Sequence, residues 1–243
     1  MNKRLENYSL AQKHLCVQND MISDNLFREY GVNRGLRDVN GTGVLTGLTR
    51  ISKITAFKMI DGVKTACDGE LWYRGYNIHT LIGSLGETEF GFEKTAFLLL
   101  FGQMPTDAEL AEFAKIIGDS RTLPTNFVRD VIMKAPSKDI MNSVTRSILT
   151  LASYDENSTN TDIENSIRQC LQLIAVFPML VVYGYHAYNH YENYESMYIH
   201  RPAPELSTAE NLLRMLRPDG QYTALEAKVA RYCAPASHGA WRR

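Results

Sequence analysis

The chain has 243 residues, enough for one large domain or two modest ones with a core that needs no disulfide or metal staples. Apolar residues make up 44% and charged residues 22%, a balance typical of globular proteins that excludes the disordered and collagen-like classes. Lysine and arginine total 26 against 27 acidic residues, so the net charge of -1 excludes a protein that coats nucleic acid, and we expect no nucleic-acid partner.

The first third of the chain predicts a helical segment followed by a β-rich unit. In residues 1–33, one or two amphipathic helices are predicted by apolar residues among many charges, namely Leu5, Leu10, Leu15, Met21 and Leu26. In residues 34–76, glycines punctuate β-branched stretches, and strands are expected around 43–46, 51–60 and 71–74. The pairs Asp61-Gly62 and Asp68-Gly69 predict tight turns, so this segment is interpreted as a hairpin unit.

Residues 77–229 predict helices almost throughout. A long apolar run from Phe90 to Phe101 is followed by Gly102, which is typical of a helix C-terminus. Helices are expected to start at residues that can cap or open them, namely Thr106, Pro124, Asp139, Asp162, Ser207 and Thr223. The helix after Asp162 should run toward His190 and kink at Pro178, because proline lacks a backbone donor. The predicted fold class is mainly α with a small β-hairpin unit near the N-terminus.

Four isolated cysteines and a polar N-terminus indicate in which cellular compartment the protein is expected. The cysteines form no CxxC pair, so zinc and redox sites are not expected, and burial as small hydrophobic residues is the favoured interpretation for Cys16, Cys67, Cys170 and Cys233. The N-terminus shows no apolar region of a secretory signal. The longest apolar stretch, residues 171–185, is interrupted and falls short of a bilayer span, so we expect a cytoplasmic protein with no membrane partner.

Two motifs suggest ligand sites, and each has a structural alternative. Gly41, Gly43 and Gly47 suggest a phosphate-binding loop, but their spacing differs from the nucleotide motifs and no lysine follows, so turns and bulges are favoured. His186 and His190 lie four residues apart, which would place both on one helical face as two metal ligands. Since no third ligand is close in sequence, a helix end rich in aromatic packing is favoured.

The remaining polar clusters leave alternatives open. Arg34 and Arg37 could bind an anion, or a contact with Asp38 could simply hold a surface loop. Asp155 and Glu156 are adjacent in a stretch that looks like solvated loop, and adjacency alone does not direct two carboxylates at one substrate. Because no nucleophile–base pair is visible, local chemistry alone leaves the function unassigned.

Taken in order, several segments resemble citrate synthases of the bacterial type. The stretch DGELWYRGYNI, residues 68–78, is fairly specific, and the ordered set is more specific than any one member. The other segments are residues 35–38, 40–44, 47–49, 96–102, 139–142, 146–150, 163–165, 188–190 and 207–211. The resemblance covers residues 30–229 and implies the helical large domain of the citrate synthase fold, with residues 77–229 as its main helical portion.

The resemblance implies an acyltransferase that condenses acetyl-CoA with oxaloacetate and releases citrate and CoA. In that family a carboxylate takes a proton from the thioester methyl group, one histidine stabilises the enol, and another polarises the oxaloacetate carbonyl. The family is a homodimer with a closing site, and it needs no metal or cofactor besides the CoA substrate. A 2-methylcitrate synthase, which takes propionyl-CoA, is the alternative within the same family.

No residue of this chain is assigned a catalytic, cofactor-binding or metal-binding role. In the family the catalytic residues begin with a His-x-x-His-Gly-Gly-Gly stretch, after the point where this sequence diverges. His186, His190 and His200 precede that region, and His238 lies in the divergent tail. The resemblance therefore transfers the reaction as an expectation, without its residues.

Residues 230–243 are interpreted as an aberrant tail. The residues before Val229 look like the start of a core helix, whereas the tail contains Pro235 and few apolar residues at helical spacing. We hypothesise that one inserted nucleotide after the Val229 codon shifts the reading frame, since deleting one base from a permitted set of codons gives LDIALLLHMEHGG. The chain is then expected to be truncated, inactive alone, and to expose apolar surface. The alternative is a non-catalytic fragment that pairs with intact subunits.

Overall fold

The computed structural model of the protein describes residues 3–20, 22–32, 48–61, 63–85 and 88–237. Within these ranges the chain forms nine α-helices and a three-stranded sheet, which confirms the predicted mainly α fold with a small β unit near the N-terminus. The division of the chain into four segments stays a prediction. The predicted strand at 43–46 lies outside the described residues.

The first segment forms helix α1 (Lys3–Asp20) and helix α2 (Asp24–Glu29), as predicted. Leu5 and Leu15 are buried in the core, but Leu10 is 60% exposed. The expectation for Leu10 was wrong because it lies about 140° around the helix from Leu5, on the solvent side. Met21 lies outside the described residues.

The sheet has the order β1-β2-β3 and is antiparallel throughout, with β1 (Ser52–Ile60), β2 (Val63–Tyr73) and β3 (Tyr76–Asn77). The hairpin turn predicted at residues 61–62 is confirmed, since Ile60 pairs with Val63 and Asp61 has a positive φ of 51°. The turn predicted at residues 68–69 was wrong. Those residues lie inside β2, where the pairing register shifts and residues 67–69 stand opposite residue 56. A bulge, which tolerates glycine, replaces the turn there.

Three helices follow the sheet: α3 (Ile78–Leu85), α4 (Gly91–Phe101) and α5 (Asp107–Asp119). The end predicted for α4 is confirmed, because Gly102 has a φ of 77° and donates its N–H to the Leu98 carbonyl at 2.9 Å. The start of α5 is also confirmed by a capping box between Thr106 and Glu109.

A regular helix opening at Pro124 does not form. The Phe127 N–H donates to the Pro124 carbonyl at 3.0 Å to close a turn, and a π-helical turn follows at Val128–Met133. Asn126 has a positive φ of 62°, a left-handed conformation that a regular right-handed helix does not contain. This backbone geometry explains why the prediction was wrong.

Helix α6 (Ile140–Leu151) and helix α7 (Ile163–Glu192) begin where predicted. The Asp139 side chain accepts the Asn142 N–H at 3.2 Å, and α7 starts directly after Asp162 and continues through Pro178. In the described ranges, α7 is the one helix with the length and apolar composition to cross a membrane. The polar, proline and glycine residues that interrupt the apolar stretch at 171–185 therefore do not end the helix. In the fold it packs against α1, α5, α6 and α8, as a core helix does.

Helix α8 (Thr208–Leu216) and helix α9 (Ala224–Ser237) complete the described chain. Both begin with a capping box, formed by Ser207 with Glu210 and by Thr223 with Glu226, as the predicted starts require. Helix α9 continues through residues 230–237, so the described part of the tail is helical although it has few apolar residues at helical spacing.

In the described residues, the buried hydrophobic side chains form three clusters. The first joins α1, α4, α5 and α7, and the second joins α7 to α8 and the π-helical turn. The third joins β2 to α3 and α4, and Tyr232 of α9 packs against it. The predicted burial of the cysteines was wrong for Cys170 and Cys233, which are exposed, because their apolar sequence neighbours lie on other faces of the helices. Cys16 and Cys67 are half-buried.

Candidate functional site

A cleft of about 580 Å³ lies between the end of α6, the first half of α7 and the loop at residues 120–124. Its apolar wall includes Leu123, Leu151 and Val176, and its polar wall includes Asp155 and Arg168. A pocket of this size with a few convergent polar groups is the usual starting point for a ligand site. Its chemistry depends on how those two charged side chains are paired.

Asp155 and Arg168 form a largely buried ion pair. The Arg168 Nη2 donates to both carboxylate oxygens of Asp155 at 2.8 and 2.6 Å, and the two side chains are 8% (Arg168) and 16% (Asp155) exposed. Burial raises the pKa of the Asp155 carboxyl, but hydrogen bonds from Arg168 and Gln169 outweigh it, so the pKa lies below its ordinary value. Asp155 therefore stays ionised at neutral pH.

The same arginine is held on every nitrogen. Nε donates to the Asn165 side-chain oxygen at 3.0 Å, and Nη1 donates to Gln172 at 3.3 Å. Asn165 in turn donates to the carbonyls of Asn157 and Asn160 at 3.0 and 2.7 Å. This network joins the loop before α7 to the helix, so the charged pair in the cleft acts as an internal connection. The sequence interpretation of this stretch as solvated loop holds for exposed Glu156 and was wrong for Asp155.

A second buried ion pair connects α4, the end of α5 and α8. Glu93 accepts the backbone N–H and the hydroxyl of Thr208, both at 2.7 Å, and lies 3.5 Å from Arg121. Arg121 also donates to the carbonyls of Ala203 and Leu206 at 3.2 and 2.6 Å. Burial lowers the pKa of Arg121 and the charge of Glu93 opposes that shift.

Sequence reasoning missed this second pair. The signal that could have found it is the acidic side chain of Glu93, which together with Lys94 interrupts the apolar run of α4. A charged side chain on a buried helical face needs a partner of opposite charge. Its partners have no local signal, since Arg121 lies beyond the end of α5 and Thr208, which donates to Glu93, is 115 residues away.

His186 and His190, which were considered as metal ligands, and His200 all bond to backbone carbonyls. His186 is buried, and its Nε2 donates to the Met215 carbonyl at 3.0 Å. His190 Nδ1 donates to the Glu195 carbonyl at 2.8 Å, and His200 Nε2 donates to the Pro218 carbonyl at 3.0 Å. Among the residues that the structure describes, no group of three or more histidine, cysteine or acidic side chains could hold a metal ion.

Three of the positions considered from the sequence lie outside the described ranges. They are the glycines at 41, 43 and 47, the arginine pair at 34 and 37 with Asp38, and His238. Their alternatives therefore stay as the sequence left them. The structure brings Asp155 into a cleft, and of the described histidines His186, His190 and His200 none lines it.

Comparison with known proteins points in one direction. A family model described as "Citrate synthase, C-terminal domain" matches residues 35–234. A citrate synthase from Saccharolobus solfataricus is 29% identical over 164 residues, which cover 67% of this chain and 39% of that protein. A 2-methylcitrate synthase from Shewanella oneidensis is 29% identical over 115 residues, which cover 47% of this chain and 28% of that protein. The chain thus spans well under half the length of these curated relatives.

A solved structure gives the same fold. The chain matches the ternary complex of a Thermoplasma acidophilum citrate synthase with carboxymethyl coenzyme A and oxaloacetate, at a TM-score of 0.63. The match covers 88% of this chain and 46% of that chain, with 20% sequence identity. At this identity the likeness shows the fold alone.

Proposed function

Because the chain belongs to the citrate synthase family, we propose that it forms the helical part of an acyltransferase that joins an acyl-CoA to oxaloacetate. In this reaction the methyl carbon of acetyl-CoA loses a proton and forms a bond with the keto carbon of oxaloacetate, whose oxygen takes up a proton to become a hydroxyl. Water then breaks the thioester to release citrate and CoA. The observation that carries the proposal is the family match over residues 35–234. In line with the resemblance, the proposal includes no cofactor besides the CoA substrate; in line with the sequence expectation, it includes a cytoplasmic location.

A second candidate is 2-methylcitrate synthesis from propionyl-CoA. The curated relatives of this chain include proteins of both names, from Saccharolobus solfataricus and Shewanella oneidensis among others. We favour acetyl-CoA because, over similar shares of this chain, a citrate synthase from Corynebacterium glutamicum is 30% identical (71% covered) and a 2-methylcitrate synthase from Mycobacterium tuberculosis is 25% identical (70% covered). Relative turnover of the two acyl-CoA substrates distinguishes the candidates.

We also propose that the 243-residue chain does not complete the reaction alone. Its matched region covers 39% of the Saccharolobus solfataricus relative. In the described residues, the carboxylates of Asp155 and Glu93 are each paired with a buried arginine, although the second oxygen of Glu93, Oε2, is buried without a hydrogen-bond partner. The proposed frameshift after Val229 would separate this chain from the rest of the catalytic machinery.

We propose a homodimer built on helices α6 and α7. These helices pack together, and each leaves large apolar side chains exposed. On α6 they are Met141 and Leu149; on α7 they are Ile163, Leu173, Phe177 and Tyr185, which fall within about a third of the helix circumference. An apolar surface on two adjacent helices is typical of an obligate interface, and pairing with an intact subunit would use the same surface.

The experiment that tests these proposals begins with resequencing the gene across the Val229 codon and the reading frame downstream. The 243-residue chain and any longer product are then assayed for release of the CoA thiol, with oxaloacetate and either acetyl-CoA or propionyl-CoA. We expect turnover from the longer product, faster with acetyl-CoA, and none from the 243-residue chain. Turnover by the 243-residue chain would overturn its incompleteness, and a longer product inactive with both substrates would overturn the proposed reaction.

A further inference from the structure

A cleft of about 400 Å³ lies between α1 and α5, apart from the cleft beside Asp155. Two of the side chains that line it, Tyr8 and Gln12, each have a buried oxygen with no hydrogen-bond partner among the described residues. Buried polar atoms in native proteins are almost always satisfied, and those that are not call for an ion, a water or a ligand. Both oxygens belong to one face of α1, one helical turn apart.

The surroundings of Tyr8 define what can satisfy it. Its ring packs edge-on against Phe101 at 6.4 Å and tilted against Phe113 at 6.5 Å, so its position is fixed and only 5% of the residue is exposed. Burial raises the pKa of the phenol, and the charges of Glu112 and Glu109 raise it further. The hydroxyl is therefore neutral, and the potential around its oxygen is negative.

The opposite end of the cleft has the opposite charge. Lys3 and Arg4 line it four to five residues before Tyr8 along α1, which is an axial separation of about 6–7.5 Å. Arg4 forms an ion pair with Asp119 at 3.0 Å, and Lys3 is exposed at the cleft opening. Asn7 lines the cleft between Arg4 and Tyr8 along α1, and the apolar side chains of Ala11 and Ile116 also line it.

We propose that this cleft binds a free α-amino acid. Its ammonium group would donate to the Tyr8 hydroxyl, the Gln12 Oε1 and the Glu112 carboxylate, since an ammonium has three N–H donors and these are three acceptors in a negative potential. Its carboxylate would face Lys3, and a small apolar side chain would lie against Ile116. A zwitterion accounts for both charged ends, whereas an amine or a carboxylate alone accounts for one.

The test is a titration of the 243-residue chain at neutral pH with three probes. L-alanine carries both charged groups, ethylamine carries only the ammonium, and propionate carries only the carboxylate. We expect saturable binding of alanine, weaker binding of ethylamine, and the weakest of propionate. Tyr8→Phe should weaken alanine binding about fivefold, because it removes one hydrogen bond and keeps the ring. The matched control is Tyr194→Phe, at a side chain that is 92% exposed, which should leave the affinity unchanged.

Glu112→Gln is a second variant that tests recognition of the ammonium group, and it should not disturb core packing because Glu112 is exposed. It should weaken binding of alanine and ethylamine but leave propionate unchanged. The proposal is overturned if alanine does not bind saturably, or if it binds equally to the chain and to the folded Tyr8→Phe variant. Equal affinity for ethylamine and alanine would overturn the carboxylate half and leave a site for a simple amine.

Discussion

The buried pair between Glu93 and Arg121 predicts a large and specific loss of stability when the arginine is replaced. Arg121→Met preserves most of the side-chain volume and removes the guanidinium. It leaves Glu93, which is 1% exposed, without its cation, and removes one donor from the carbonyls of Ala203 and Leu206, which still accept from Asn211. Breaking a buried ion pair from one side costs about 3–5 kcal/mol, so we expect about 4 kcal/mol here. In a chain of this size that lowers the melting temperature by roughly 10 °C.

The assay is unfolding in urea, followed by far-UV circular dichroism, together with a thermal scan. Arg129→Met is the matched control, because Arg129 also pairs with a neighbouring carboxylate, at 2.8 Å, but its side chain is 67% exposed. We expect no measurable change for this control, since exposed ion pairs contribute little. Equal midpoints for the two variants would refute the argument that burial makes the Glu93–Arg121 pair important.

Three further predictions use the same unfolding assay or the mass in solution. Gly118→Ala should destabilise by about 3 kcal/mol because its Cβ would lie 2.2 Å from a backbone oxygen, whereas Gly83→Ala, with open space around it in a helix, should stabilise slightly; equal effects would contradict this. Asp155→Asn should cost about 2 kcal/mol at neutral pH. Because the folded-state pKa of Asp155 is depressed, this difference should be fully present above pH about 4 and vanish as the pH falls further; a pH-independent difference would contradict it. Leu149→Glu should convert a dimer to a monomer in light scattering, while Leu225→Glu, equally exposed on α9, should not; a dimer that survives Leu149→Glu argues for another interface.

Helix ends could be predicted from the sequence because their signals are local. A capping side chain satisfies a backbone N–H three residues away, so Thr106, Asp139 and Ser207 indicate the starts of α5, α6 and α8 without knowledge of the fold. Gly102 indicates the end of α4 for a similar reason, because its positive φ is a property of one residue.

The wrong predictions occur where a local signal has two structural outcomes. An Asp-Gly pair fits a tight turn, and it equally fits a bulge inside a long strand, which is what Asp68-Gly69 forms. Pro124 is compatible with a first helical turn, but the left-handed Asn126 two residues later prevents a regular helix. In both cases the choice depends on pairing or packing with residues distant in the sequence.

The candidate site was less predictable than the fold for a related reason. Asp155 and Arg168 are 13 residues apart with a loop between them, and Thr208, which donates to Glu93, lies 115 residues from it, so neither pairing can be recognised from adjacent residues. The pairing of Asp155 and of Arg121 also indicates which role these side chains have. A general acid or base needs a pKa near the working pH and access to the substrate. Asp155 is instead held ionised by its arginine, and Arg121 is enclosed by carbonyls and a carboxylate, so both side chains keep one charge state across neutral pH. Charges fixed in this way suit a scaffold that holds helices in position, which is the part of an acyltransferase that we propose for this chain.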